Sequence, residues 1–133
     1  MYRFFYKLGD FCYKIKWFFQ RLFKGYSDEE LWNLNDHIIK YTLKRLKVFR
    51  KETQGFPSDL NSFEEWERIL DEIIWAMEYV SSDDTPYWDL KEKYGIELAE
   101  DGRLKYIVEF EKLEERSRKG FEYFGKYLNA LWW

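Results

Sequence analysis

The sequence predicts an all-α fold, organised as a compact bundle of four main helices plus one short helix. Only three valines and three threonines are present, whereas β-strands are rich in β-branched residues. The only prolines are Pro57 and Pro86, so helices can run through 1–55 and 87–133 without a proline break. Apolar residues recur three and four positions apart through most of the chain, which is the period of a helix packed on one face.

The first helix is predicted over residues 2–23 and ends before Gly25, a typical C-terminal cap. Charged side chains lie opposite its apolar stripe, so the helix is strongly amphipathic. We expect the stripe to pack on the rest of the bundle, because a domain of this size needs that apolar surface for its core. The alternative is a membrane-surface helix, which a cationic polar face and an aromatic apolar face, Trp17 included, also fit. The stripe consists of Phe4, Leu8, Phe11, Ile15, Phe18 and Leu22.

The second helix is predicted over residues 28–51. Ser27 followed by Glu30 has the spacing of a capping box, and three acidic residues at 28–30 favour a helix N-terminus. Lysines and arginines near residue 50 suit its C-terminal end. The predicted inner face comprises Leu31, Trp32, Leu34, Ile38, Ile39, Leu46 and Phe49.

A second capping box, Ser62 with Glu65, begins the third helix over 62–80. Pro86 suits the first turn of a short helix over 86–94 with Thr85 as its cap, and the last helix spans 103–131. Glycines at 120 and 125 weaken that last helix and indicate a kink or a close helix crossing. The predicted buried positions are Phe63, Trp66, Leu70, Ile73, Met77 and Val80 in the third helix, and Tyr106, Phe110, Leu113, Phe121, Phe124, Leu128 and Leu131 in the last.

A length of 133 residues predicts one domain over 1–133, with 1–24 as a basic aromatic helix and 25–133 as the rest of the bundle. No apolar run reaches the length of a membrane span, and no signal-peptide pattern is present, so we expect a cytoplasmic protein. Charge is segregated: 1–24 carries six basic residues and one acidic, and 52–101 carries three basic and fifteen acidic. The simplest expectation is that basic and acidic segments face each other in the fold.

The residue inventory argues against an enzyme and against a metal site. Cys12 is the only cysteine and His37 the only histidine, so paired imidazole or thiolate ligands are excluded. The aromatic surroundings of Cys12 predict a buried, inert thiol. No glycine precedes a Lys-Ser or Lys-Thr pair, so no phosphate-binding loop is recognisable. We therefore expect no catalytic residue, no metal and no cofactor.

Aromatic residues make up 23% of the chain and suggest two binding hypotheses. In the first, rings and cations near segment ends stack and hold a nucleotide-derived molecule. The candidate residues are Trp88, Arg116, Arg118, Lys119, Trp132 and Trp133. In the second, an acidic face competes for the basic groove of a host protein, in imitation of nucleic acid. Its residues are Glu64, Glu65, Glu67, Asp71, Glu72, Asp83 and Asp84.

The apolar surplus of the first helix also predicts a symmetric homodimer, because monomers seldom leave a large apolar patch uncovered. Membrane-surface contact by residues 2–23 is the competing prediction.

Several short segments resemble a family of small, uncharacterised phage-encoded helical proteins. The segments lie within roughly 25–80 and 118–133 and read GYSD, LWNL, RLK, GFP, FEEW, ILD, GFE, FGKY and LW. They are caps, turns and core aromatics rather than catalytic motifs. The resemblance implies an origin in a phage, a place in the cytoplasm of an infected bacterium and, by analogy, an accessory protein that inhibits a host defence.

Overall fold

The computed structural model describes residues 2–82 and 86–132, with side chains described from residue 9 onward. Its helices are α1 (Tyr2–Lys24), α2 (Asp28–Trp32), α3 (Leu34–Glu52), α4 (Phe63–Ser81), α5 (Pro86–Tyr94) and α6 (Lys105–Tyr127), followed by a 3-10 turn over Leu128–Ala130. Extended pairing within the described ranges is limited to one isolated bridge between Leu98 and Leu104. The all-α prediction is confirmed.

The prediction of one continuous helix over 28–51 is wrong, since this segment forms two helices that meet at Asn33. The φ and ψ angles of Asn33 are −117° and 41°, which lie outside the helical region. Its N–H donates to the Glu29 carbonyl, whereas its own carbonyl accepts from His37 N–H at 3.0 Å and begins α3. Asparagine and aspartate side chains compete with helical backbone bonds, and two asparagines and an aspartate lie between 33 and 36.

The chain divides into two compact units, residues 1–38 and 39–133. The first contains α1, α2 and the start of α3. Gly25, at a φ of +82°, makes the turn between α1 and α2, a backbone conformation that glycine adopts without strain. The expectation of one domain over 1–133 stays a prediction.

The second unit has its own hydrophobic core, centred on α4. Ser62 caps that helix as predicted, because its hydroxyl accepts a hydrogen bond from Glu65 N–H at 3.2 Å. The ring of Trp66 meets that of Tyr127 edge to face, with 5.4 Å between centroids. The buried residues of this cluster are Leu46, Trp66, Ile69, Leu70, Ile73, Met77 and Tyr127. They join α3, α4 and α6 into a packed group.

Several positions that were predicted to be buried are exposed. Leu31 and Trp32 are exposed in α2, which the break at Asn33 separates from the stripe that continues through Leu46. Leu34 and Ile38 are exposed in the first turns of α3. Val80 is exposed in the last turn of α4, which lacks a partner surface at that position. Leu128 is exposed where α6 gives way to a 3-10 turn with three residues per turn. The stripe of α1 is exposed at Phe11, Ile15, Phe18 and Leu22, whereas the side chains of Phe4 and Leu8 lie outside the described residues.

Candidate functional site: the exposed face of α1 and the cleft beside α2

The polar side of α1 holds α2 in place. Gln20 and Asp28 exchange two hydrogen bonds, with Gln20 Nε2 donating to Asp28 Oδ2 at 2.7 Å and Asp28 N–H donating to Gln20 Oε1 at 3.0 Å. Lys16 Nζ lies 3.2 Å from the same Asp28 oxygen. One turn further along, Arg21 binds Glu30 at 2.5 Å and Glu29 at 3.2 Å. All three carboxylates in the first turn of α2 are therefore paired with two cations of α1.

These contacts lower the pKa values of two carboxyl groups. The hydrogen bond from Gln20 and then the ammonium of Lys16 hold the pKa of Asp28 below its usual range. The guanidinium of Arg21, and after it the Ser27 N–H, lower the pKa of Glu30 in the same way. Both carboxylates are stabilised as anions, so the α1–α2 contact depends on their ionisation.

The opposite side of α1 is apolar and uncovered. With 3.6 residues per turn, positions 11, 15, 18 and 22 lie on the side away from Gln20 and Lys16. Their neighbours Phe19 and Phe23 widen this side, and the two rings stack with 6.4 Å between centroids. We call this surface the apolar face of α1. It consists of Phe11, Ile15, Phe18, Phe19, Leu22 and Phe23, whose exposures range from 41% to 80%.

Cys12 lies beside this face and is exposed, so the prediction of a buried thiol is wrong. The aromatic neighbours that suggested burial are themselves uncovered. Trp17 differs from the prediction in another way. Its ring lies near Tyr13, with centroids 6.0 Å apart, on the side of α1 that meets α2. It therefore does not belong to the apolar face.

Between the polar side of α1 and α2 lies a cleft of about 580 Å³, which we call the α1–α2 cleft. The sequence patterns considered above do not predict this cleft. The sequence does contain a pattern from which it could be predicted: aromatic rings at 13 and 17 and a lysine at 16 share one side of a helix, and a tryptophan follows at 32. Trp32, the most exposed of these rings at 89%, stands at the C-terminal end of α2. The lining residues are Asp10, Tyr13, Lys14, Lys16, Trp17, Asp28, Glu29, Trp32 and Asn33.

Two of the three cations predicted to hold phosphate, Arg116 and Arg118, are paired with carboxylates of the same chain. Arg116 forms two hydrogen bonds with Glu72, at 2.8 and 2.9 Å, and its guanidinium lies 4.0 Å from the centre of the Trp75 ring. Arg118 binds Glu115 and Glu122. Lys119 lines a groove of about 640 Å³ together with Arg116.

The rings predicted to stack on a base lie in other places. Trp88 is an exposed residue of α5, with Lys91 Nζ 5.2 Å from its ring centre. Trp132 lines a separate pocket of about 410 Å³ beside Phe56 and Pro57, and that pocket has no lysine or arginine among its lining residues. Trp133 lies outside the described residues. The structure thus brings Arg116 and Lys119 together but without a predicted tryptophan, and this ligand site stays a prediction.

The acidic residues of the second hypothesis are largely engaged within the chain. Glu67 and Asp71 both bind Arg50, and Glu72 binds Arg116. Glu65 accepts a hydrogen bond from Asn61 N–H, and Glu64 lies beside it in the first turn of α4. Asp83 and Asp84 lie outside the described residues. Acidic α4 thus binds basic residues of α3 and α6. The partner hypothesis stays a prediction.

Within the described residues, no group of three or more histidine, cysteine, aspartate or glutamate side chains is arranged to hold a metal ion. None of the helices in the described ranges is long and apolar enough to cross a membrane. No family model, no curated protein and no solved structure matches the chain. The resemblance to small phage proteins stays a prediction.

Proposed function

We propose that the protein is a non-enzymatic accessory protein that binds the surface of an anionic membrane through the apolar face of α1. The observation that carries the proposal is the exposure of that face. Phe11, Phe18 and Phe23 are each more than half exposed, along a single helix of 23 residues. Soluble monomers seldom leave such a patch uncovered, so the face needs an occupant.

The chemistry of α1 suits a membrane interface. An interfacial helix buries an aromatic and aliphatic face at the level of the headgroups and keeps a cationic face in water. Moving a phenylalanine or leucine side chain out of water is worth about 1.5–3 kcal/mol. A lysine or arginine near an anionic surface adds about 1 kcal/mol. Residues 1–24 carry six such cations against one acidic residue, and two of the six, Lys16 and Arg21, are paired with carboxylates of α2.

The core of the second unit removes the main argument for packing α1 into a bundle. The sequence favours such packing because a domain of this size needs apolar surface for its core. The buried cluster around Trp66 and Ile73 consists only of residues beyond position 38. The apolar face of α1 is therefore not needed to complete it.

A second copy of the chain is the competing occupant of the same face. The homodimer predicted from the sequence stays a prediction. The cations of α1 that are not paired with α2 favour the membrane, because they repel each other across a symmetric contact of two copies, whereas anionic lipid attracts them. A phage origin, inhibition of a host defence and sequestration of a nucleotide-derived signal stay predictions beside this proposal.

The test is sedimentation of the full chain with phosphatidylcholine vesicles that contain or lack phosphatidylglycerol. We expect binding to the anionic vesicles and much weaker binding to phosphatidylcholine alone. Phe18→Glu and Leu22→Glu should each weaken binding about tenfold or more, because each places a charge on the buried side of the helix. Ile96→Glu is the matched control, since Ile96 is 91% exposed in the loop between α5 and α6.

Light scattering of the lipid-free protein at tens of micromolar distinguishes the two occupants. We expect a monomer mass. A dimer that Phe18→Glu dissociates and that ignores vesicles would assign the face to self-association and contradict the proposal. Equal binding of Phe18→Glu and Ile96→Glu to anionic vesicles would also contradict it.

A further inference from the structure

We infer that the α1–α2 cleft is a binding site for a planar nitrogen heterocycle of the nucleobase or nucleoside type. Three rings line it. Tyr13 and Trp17 lie side by side on α1 with their planes 33° apart, and Trp32 faces the solvent from α2. A ring that is almost wholly exposed gains little from its own fold, so its stacking surface is free for a ligand.

Polar groups of both kinds surround these rings. Lys14 and the amide of Asn33 offer N–H donors, whereas Asp10 and the amide oxygen of Asn33 offer acceptors. A nucleobase presents alternating donors and acceptors along its edge and two flat faces, which is the combination this lining complements.

The charge of the cleft selects against polyphosphate. Lys16 is paired with Asp28, and Arg21 binds Glu29 from outside the lining. Asp10 and Lys14 then remain as one negative and one positive group with no ion pair in the described residues. A site that is close to neutral suits a base or nucleoside better than a triphosphate, which would meet Asp10, Asp28 and Glu29.

The two walls of the cleft are also joined by contacts that need no ligand. The two hydrogen bonds between Gln20 and Asp28 and the pairs made by Arg21 hold α2 against α1. Pre-organised rings lose little conformational entropy on binding, which makes a small site effective.

The experiment titrates adenosine, guanosine, cytidine and uridine into the lipid-free full chain, with calorimetry and tryptophan fluorescence as readouts. We expect saturable binding of at least one nucleoside with a Kd on the order of 0.1–1 mM. Trp32→Ala should weaken it about tenfold, because base stacking on an aromatic ring is lost. Trp88→Ala removes an exposed tryptophan of α5 and should leave the Kd unchanged.

Two further variants separate recognition from simple stacking. Lys14→Ala and Asp10→Ala remove one donor and one acceptor of the lining and should change the preference among the four nucleosides. The matching 5′-triphosphate should bind no tighter than the nucleoside. Absence of saturable binding by all four nucleosides, or equal Kd values for Trp32→Ala and the unchanged chain, would overturn the inference. Tight binding of triphosphates regardless of base would overturn it too. These outcomes do not depend on the result of the vesicle experiment.

Discussion

Gly120 of α6 lies directly against Ala76 of α4, so that a Cβ atom added at Gly120 would come within 2.4 Å of the Ala76 Cβ. The same added atom would lie 2.7 Å from the carbonyl oxygen of Glu72. The glycines of this helix predicted either a kink or a close helix crossing, and at Gly120 the close crossing is confirmed. At this contact the backbones of α4 and α6 approach too closely for any side chain.

The first prediction follows from that contact. Gly120→Ala should lower the free energy of unfolding by about 1–3 kcal/mol, because overpacking forces α4 and α6 apart. Gly125→Ala is the matched control, since nothing lies within 4 Å of the position its Cβ would take. Alanine there should leave the stability unchanged or raise it by up to about 1 kcal/mol through helix propensity. Urea unfolding followed by circular dichroism measures both, and equal effects would refute the crossing.

The second prediction concerns the core of the second unit. Trp66 is 1% exposed and contacts the Tyr127 ring, so Trp66→Ala should cost about 3–5 kcal/mol. Trp32→Ala makes the same chemical change at an exposed site and should alter stability by no more than about 0.5 kcal/mol. Thermal and urea unfolding of the two variants provide the comparison. A large loss from Trp32→Ala would mean that its ring is packed.

The third prediction is a pH dependence of the α1–α2 contact. Asp28 and Glu30 have pKa values below their ordinary 3.8 and 4.5, so the contact is stabilised above those values. The stabilisation is lost as the pH falls from about 4.5 through the lowered pKa values. Amide shifts of residues 27–32 in nuclear magnetic resonance spectra should therefore change in acid. In the double variant Asp28→Asn, Glu30→Gln, these amide shifts should already differ from those of the unchanged chain at neutral pH, because the contact is weakened. They should then change little with pH below pH 5.

The fourth prediction tests the ion pairs between α3 and α4. Arg50 donates two hydrogen bonds to Asp71, at 2.9 and 3.2 Å, and one to Glu67 at 2.6 Å. Arg50→Ala should lower the free energy of unfolding by about 1 kcal/mol at low salt, and by less in concentrated salt. Lys51→Ala removes the same charge from an exposed neighbouring position and should have almost no effect. Equal losses in the two variants would show that net charge, rather than the pairing, matters.

The fifth prediction concerns catalysis and metals. Cys12→Ser and His37→Ala should leave helix content and vesicle binding largely unchanged, because neither residue belongs to a metal-ligand cluster in the described part of the chain. Elemental analysis of the purified protein should find no stoichiometric zinc or iron. Loss of biological activity in either variant with retained helicity would reopen an enzymatic or metal-dependent role.

The sequence by itself determined where most helices of this protein begin and end, because caps and helix breakers act on residues only a few positions away along the chain. Ser62 caps α4, Gly25 ends α1 and Pro86 begins α5, as the local patterns predicted. Two helices differ from the prediction: the last, predicted over 103–131, is α6 at Lys105–Tyr127, and the second is interrupted at Asn33. The effect of Asn33 depends on a balance between side-chain and backbone hydrogen bonds that spacing alone does not resolve.

Only the tertiary structure decided which apolar stripes are covered. Phe18 on α1 and Ile73 on α4 stand in equally regular stripes, yet Phe18 is exposed and Ile73 is fully buried. Periodicity shows that a helix has an apolar side, but burial depends on a second surface supplied by residues far away in the sequence. For the same reason, Trp17 lines the cleft beside α2 instead of joining the apolar face, and Gly120 marks a crossing whereas Gly125 does not.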